Sequence, residues 1–228
     1  MRWLVTGTNR GIGLEFVRQL AARGDHVDAV ARNPNAPALL EIVRAAGGRV
    51  RVHACDVAND ASVRALAGAI GSEPLDVLVN NAGVGGKWQS LQDLDLEEAK
   101  RVFDVNALGP IRVTRALLPN LLEGKTRKVV HITSGMGSIA DNSSGGAYAY
   151  RMSKAALNMA NKSLSVDFAD KGLIAVVMNP GWVATDMGGK NAPLPVDESV
   201  KQMLQRIDEM APAQNGAFLN YKGGTYPF

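Results

Sequence analysis

From its second residue onward the chain alternates short apolar runs with longer amphipathic stretches. This rhythm limits the folds open to it more than any other feature. The apolar runs predict strands at 2–6, 26–31, 49–54, 76–80, 128–133, 173–178 and 216–221. The stretches between them predict helices near 13–23, 38–46, 62–70, 97–105, 110–122, 148–170 and 197–210, with the fourth and fifth close together or continuous. Strands that are apolar throughout, each followed by a helix, describe a parallel sheet covered on both faces. Right-handed crossovers then wind it in both directions. The expected fold is α/β, a doubly wound parallel sheet of about seven strands, with residues 1–228 forming one domain.

Composition agrees and excludes several classes. With 228 residues the chain is long enough for one sizeable core and short for two. Apolar residues at 46% and charged ones at 21% match a soluble globular protein. The net charge of +3 comes from interleaved charges, so neither a nucleic-acid nor a membrane partner is implied. No run approaches the roughly 18 apolar residues of a membrane span. The single cysteine, Cys55, cannot form an intrachain disulfide, which points to the cytoplasm. The opening residues run straight into a strand and leave no room for a cleavable leader.

Between the first strand and the first helix lies Thr6-Gly7-Thr8-Asn9-Arg10-Gly11-Ile12-Gly13. Its spacing differs from GxGxxG, but the physical logic is shared. Glycines let the backbone approach a pyrophosphate, and a helix N-terminus offers free N–H groups and a positive dipole end. Gly7, Asn9, Arg10, Gly11, Ile12 and Gly13 are therefore expected to meet a dinucleotide. NAD-binding chains place an acid at the end of the second strand for the ribose 2′-hydroxyl. Here that position is Ala31, and Arg32 follows. Two guanidiniums, Arg10 and Arg32, suit a 2′-phosphate, so NADP(H) is preferred over NAD(H). Asp28 lies mid-strand, too far back to replace the missing acid.

Tyr150 and Lys154 open the longest helix, four apart and on one face. An ammonium near a phenol stabilises phenolate and makes the pair a proton donor and acceptor at neutral pH. Tyr148 is a rival, but its partner four residues on is Met152. Ser134 ends the fifth strand, and Asn80-Asn81-Ala82-Gly83 ends the fourth. Carboxyl ends of the strands line one crevice in such a sheet, which brings these residues together. Ser138 is a second serine candidate. His26, His53 and His131 lie in strands, apart in sequence, and no metal site is expected. Cys55 reads as a packing residue. Trp88 and Trp182 either line an apolar pocket or pack.

Taken together, these segments resemble a short-chain dehydrogenase/reductase over essentially the whole chain, in motif order and spacing. The stretch from Tyr148 to Asn158 and the ending Gly-Ala-Phe-Leu-Asn-Tyr-Lys-Gly-Gly resemble the C-factor proteins and the sniffer-type carbonyl reductases within that family. The resemblance implies a Rossmann-like fold and hydride transfer between NADP(H) and a small-molecule carbonyl or alcohol substrate, an aldehyde or ketone in the reductive direction. Tyr150 is then the general acid/base. Lys154 lowers its pKa and holds the nicotinamide ribose, and Ser134 polarises the carbonyl. Asn106 holds a water that links Lys154 to solvent. Asp56, with Val57 beside it, bonds the adenine amine. Asn80, Ala82 and Gly83 pack against the adenosine ribose and the glycine loop. Pro180, Gly181, Val183 and Thr185 flank the nicotinamide, with Val183 and Thr185 fixing its carboxamide. The 186–196 segment is a short substrate loop over an open site. Helices 110–122 and 148–170 are the faces for a homodimer or homotetramer. The C-factor likeness also implies an alternative, a dinucleotide-binding signalling or regulatory protein with incidental catalysis.

Overall fold

The computed structural model describes residues 1–228. Seven strands form one parallel sheet: β1 (Arg2–Thr6), β2 (His26–Ala31), β3 (Val50–Ala54), β4 (Val77–Asn80), β5 (Lys128–Ile132), β6 (Ile174–Asn179) and β7 (Phe218–Asn220). Their order is β3-β2-β1-β4-β5-β6-β7. The chain runs outward one way from β1 to β3, then returns to the middle and runs outward the other way from β4. This reversal places a crevice at the carboxyl ends of β1 and β4.

Strand alternation builds two cores. Trp3 and Val5 face one side of β1, with α1 (Gly11–Ala22), α2 (Pro37–Ala45) and α7 (Val196–Asp208) packed over them through Phe16, Leu39 and Met203. Leu4 faces the other side, under α3 (Asp60–Ile70) and α5 (Gly109–Glu123), through Leu66 and Leu117. The last helices, α4 (Leu96–Phe103) and α6 (Tyr148–Asp167), pack against each other beside this second layer. No helix is long and apolar enough to cross a membrane.

The predicted strands and helices are all present, with ends shifted by a few residues. The fourth and fifth helices are continuous, joined by a π-helical turn at Asp104–Leu108. The last strand is only Phe218–Asn220, because the chain then folds back on it as a hairpin. Leu219 bridges Thr225 in antiparallel fashion, and the Tyr226 amide donates to the Phe218 carbonyl at 2.7 Å. The 186–196 segment has no regular element until α7 begins, but its base is closed. Val183 bridges Leu194, and the Ala184 amide donates to the Leu194 carbonyl at 2.8 Å.

Candidate active site

The glycine loop leaves β1 on the carboxyl edge of the sheet. Gly7 takes φ +74°, a region closed to most side chains, and its amide donates to Val30 on β2 at 2.8 Å. Gly13 is required by contact: a Cβ there would stand 2.2 Å from the Gly7 carbonyl oxygen. The loop thus folds tightly against itself and its backbone borders the cavity. The N-terminus of α1 has no side-chain cap and no acid in its first turn. Its free N–H groups suit an anion. Asn81 ties the loop to β4, donating through Nδ2 to the Thr6 carbonyl at 2.9 Å, while Thr6 Oγ1 accepts from the Asn81 and Ala82 amides.

A cavity of about 480 Å³ runs from this loop along the strand ends. Ala31, Arg32, Asp56 and Val57 border it at one end, and Tyr150, Lys154 and Pro180 at the other. Asp56 Oδ1 accepts from the Ala58 amide at 3.0 Å, which fixes its carboxylate beside the cavity. No acid stands at the end of β2. Asp28 is held within the sheet by Arg2, Arg51 and His53 at 2.8–3.0 Å. Arg32 is exposed and makes no ion pair. An uncapped helix end and a tight backbone cradle together fit the pyrophosphate of a dinucleotide.

Of the four polar residues expected to carry chemistry, Tyr150 and Lys154 border the cavity, while Ser134 and Asn106 stand behind its wall. Lys154 is buried and Nζ donates to the Ile132 carbonyl at 2.8 Å; it lies 5.7 Å from the centre of the Tyr150 ring. Burial pulls its pKa down to about 8. Burial also raises the Tyr150 phenol, with the Ser134 hydroxyl pulling the other way. Lowering of Tyr150 by Lys154 was the expectation. Desolvation wins instead, because burial disfavours the phenolate.

Ser134 starts a single 3₁₀ turn, Gly135–Gly137, and its Oγ accepts from the Met136 amide at 3.2 Å. Asn106 sits in the π turn, buried behind the cavity. Its Oδ1 accepts from the Val84 amide at 2.8 Å, and Nδ2 donates to the Val84 carbonyl and to Ser153 Oγ. A Cβ built on Gly83 would meet both Asn106 Oδ1 and Lys154 Nζ, so these two groups converge on the same backbone.

The expected residues do not all reach the cavity. Gly7, Asn9, Arg10, Gly11, Ile12, Gly13, Ala82, Gly83 and Thr185 line it. Gly181 is wedged between Leu194 and Tyr221, and Val183 is buried at the base of the loop, so both shape the cavity wall from behind. Asn80 is a correction. Its side chain turns into the core and donates to Thr114 Oγ1 at 3.0 Å beside His131, and Asn81 makes the contacts with the glycine loop instead. His131 is wholly buried and held neutral, its pKa near 3. Arg10 faces the cavity but is paired with Asp186 at 2.8 Å. Ser138 is buried, does not border the cavity, and its Oγ accepts from the Asp141 amide at 3.0 Å within a turn. Trp88 and Trp182 are both exposed, and Trp182 Nε1 donates to the Gly188 carbonyl at 2.8 Å.

Two contributors escaped the sequence reading. Asn179, at the end of β6, accepts from the Gly135 and Gly181 amides at 3.2 and 3.3 Å and ties the serine turn to the Pro180-Gly181 turn. Its place before Pro180 was the only available signal. Tyr226 lies against Gly135 and had no local signal at all.

The short chain dehydrogenase family model matches residues 2–193. The chain belongs to the short-chain dehydrogenase family. It is 52% identical over 166 residues to the C-signal protein of Myxococcus xanthus, covering 73% of this chain and 100% of that one. Carbonyl reductase Sniffer of D. melanogaster superimposes with a TM-score of 0.92 at 34% identity, covering 100% of this chain and 99% of that one. The NADPH-bound carbonyl reductase from chicken fatty liver does so with a TM-score of 0.92 at 33% identity, covering 100% and 98%. The chain is therefore a short-chain dehydrogenase of the C-signal and sniffer type, an oxidoreductase built around a dinucleotide.

Proposed function

We propose that this short-chain dehydrogenase reduces aldehydes or ketones with NADPH. The observation that carries this reading is that Tyr150 and Lys154 border a cavity also lined by Arg32, which stands where an acid would select NAD, with the Ser134 hydroxyl against Tyr150. The NADPH-bound state of the chicken carbonyl reductase supports the same cofactor. Gly7, Gly11 and Gly13 would admit the pyrophosphate to the backbone, Arg10 and Arg32 would hold the 2′-phosphate, and Asp56 would meet the adenine. Pro180 and Thr185 would flank the nicotinamide.

Bound in that seat, the nicotinamide supplies a hydride to the carbonyl carbon. Tyr150 Oη gives its proton to the carbonyl oxygen, which leaves the alcohol and a phenolate. Ser134 Oγ orients the same oxygen by hydrogen bonding. Lys154 Nζ, as ammonium, stabilises the phenolate, and Asn106 holds the water through which the proton is replaced. The loop at 186–196 is short, so the mouth stays open to varied or bulky carbonyls.

Residues 1–228 act as one catalytic unit in the cytoplasm, assembled as a homodimer or homotetramer. Met152, Met159 and Val166 support that assembly: they stand seven apart along α6, and all are exposed. The C-signal relative supports a second reading, a dinucleotide-binding signalling protein. A pure binder has no use for the assembled Asn106, Ser134, Tyr150 and Lys154, so catalysis is preferred. Tyr150→Phe tests this: turnover should fall by about 10²–10⁴-fold with NADPH binding retained. Turnover near that of the parent chain would remove Tyr150 from the role.

A further inference from the structure

The turn that carries Ser134 is short and needs support on every side. Asn179 holds the Gly135 amide from beneath. From α6, Asn158 Nδ2 donates to the Gly137 carbonyl at 3.1 Å, and a Cβ on Gly137 would lie 2.9 Å from Lys154 Cβ. Arg151, also on α6, reaches the Met136 carbonyl at 3.4 Å. The remaining side is closed by the C-terminal hairpin. A Cβ built on Gly135 would meet Cε1, Cζ and Oη of Tyr226, each at 3.4 Å, so the ring edge lies directly over that residue.

The hairpin is itself anchored at three points. Its strand pairing with β7 holds the backbone, as described above. The Tyr226 ring stacks on Phe218 with centroids 5.2 Å apart, and the Phe228 ring meets the same Phe218 at 5.6 Å. Beyond Tyr226, the Phe228 carbonyl accepts from the Ala140 amide at 3.0 Å, which links the hairpin to the chain between Ser134 and Tyr150. The Tyr226 hydroxyl makes no hydrogen bond, so its ring contact with Gly135 is what the residue contributes.

We infer that Tyr226 is a positioning residue for the reaction, one that acts through Gly135 to hold the Ser134 hydroxyl at the angle a carbonyl oxygen requires. This deepens the reductase reading and rests on it. The C-terminal hairpin is then the outer support of the catalytic serine. A loss of order at Gly135 would cost rate through misplacement of Ser134, because small errors in orientation weigh heavily on turnover.

Phe228 provides the control. Tyr226→Ala and Phe228→Ala each strip one ring from Phe218, but only Tyr226 touches Gly135. Both variants should lower the melting temperature. Only Tyr226→Ala should lower kcat, by about tenfold, measured with NADPH and para-nitrobenzaldehyde or diacetyl. Its NADPH dissociation constant should stay unchanged. Tyr226→Phe should restore kcat, because Cε1 and Cζ of the ring stay against Gly135 and the hydroxyl it loses makes no hydrogen bond within the chain. Hydrogen exchange gives a readout free of turnover: the Gly137 amide, which donates to the Ser134 carbonyl at 2.8 Å, should exchange faster in Tyr226→Ala and not in Phe228→Ala. Equal kcat and equal exchange in the two alanine variants would overturn the inference, as would failure of Tyr226→Phe to restore kcat. A parent chain that turns over no carbonyl, or a fully active Tyr150→Phe, would sink the reductase reading instead. The exchange result would still decide whether Tyr226 holds the turn.

Discussion

Arg10 and Arg32 both line the cavity, in different states. Arg32 has no counter-ion, whereas Arg10 is paired with Asp186 across the cavity mouth, both side chains well exposed at 68% and 75%. An exposed pair of this kind contributes at most about 1 kcal/mol, so a phosphate can displace Asp186 readily. Arg32→Asp should weaken NADPH binding at least about tenfold, the loss of one charged hydrogen-bonding partner, and leave NADH binding nearly untouched. Asp186→Asn should tighten NADPH by no more than about fivefold. Fluorescence titration with both cofactors checks these outcomes, and equal effects on NADPH and NADH would contradict the 2′-phosphate assignment. Arg32 was legible because its neighbour Ala31 stands where an acid is diagnostic. The Arg10–Asp186 pair was not, since 176 residues separate the partners and only the fold brings them together.

Among the elements, the strands were readable because most are apolar on both faces, the edge strand β3 alternating instead with Arg51 and His53 on one face. Asp28, opposite those two, shows how a buried acid is tolerated in β2. Burial pushes its pKa up, but hydrogen bonds from His53, Arg2 and Arg51 outweigh that and bring it from 3.8 down to about 2. The folded chain therefore binds this proton less readily than the unfolded chain. Asp28 contributes stability that is complete above an ordinary carboxylate pKa and is lost as the pH falls through about 2. Urea unfolding should show the parent chain more stable than Asp28→Asn at neutral pH, with the gap narrowing between about pH 4 and pH 2. A constant gap would contradict the ion-pair origin. The π turn at Asp104–Leu108 was not legible. Two amphipathic patterns in succession do not reveal whether one helix or two carries them, and the turn is set by packing of Asn106 between Val84 and Ser153. Likewise the doublet Asn80-Asn81 identified the strand end, but which asparagine faces the glycine loop depends on strand pleat, and Asn81 does.

For the molecule as a whole, the sheet reversal between β1 and β4 explains why residues from Gly7 to Thr185 meet at one edge. The first six strands each deliver the turn that follows them to that edge: the glycine loop from β1, Arg32 from β2, Asp56 from β3, Asn81 to Gly83 from β4, Ser134 from β5 and Pro180 from β6. Motif positions at strand ends were therefore visible in the sequence, as was the helix-borne Tyr150–Lys154 pair. The support behind them was not, because Asn179 and Tyr226 act by contacts between distant segments and have no spacing to betray them. The central claim, a Tyr150-dependent carbonyl reductase served by NADPH, is tested most directly by cofactor oxidation. Purified chain and its Tyr150→Phe variant would be assayed with NADPH and NADH against aldehydes, ketones and diketones. The account predicts carbonyl-dependent oxidation with NADPH, slower oxidation with NADH, and almost none in Tyr150→Phe although it still binds NADPH. Binding of NADPH without oxidation by any carbonyl, or oxidation that survives Tyr150→Phe, would contradict it.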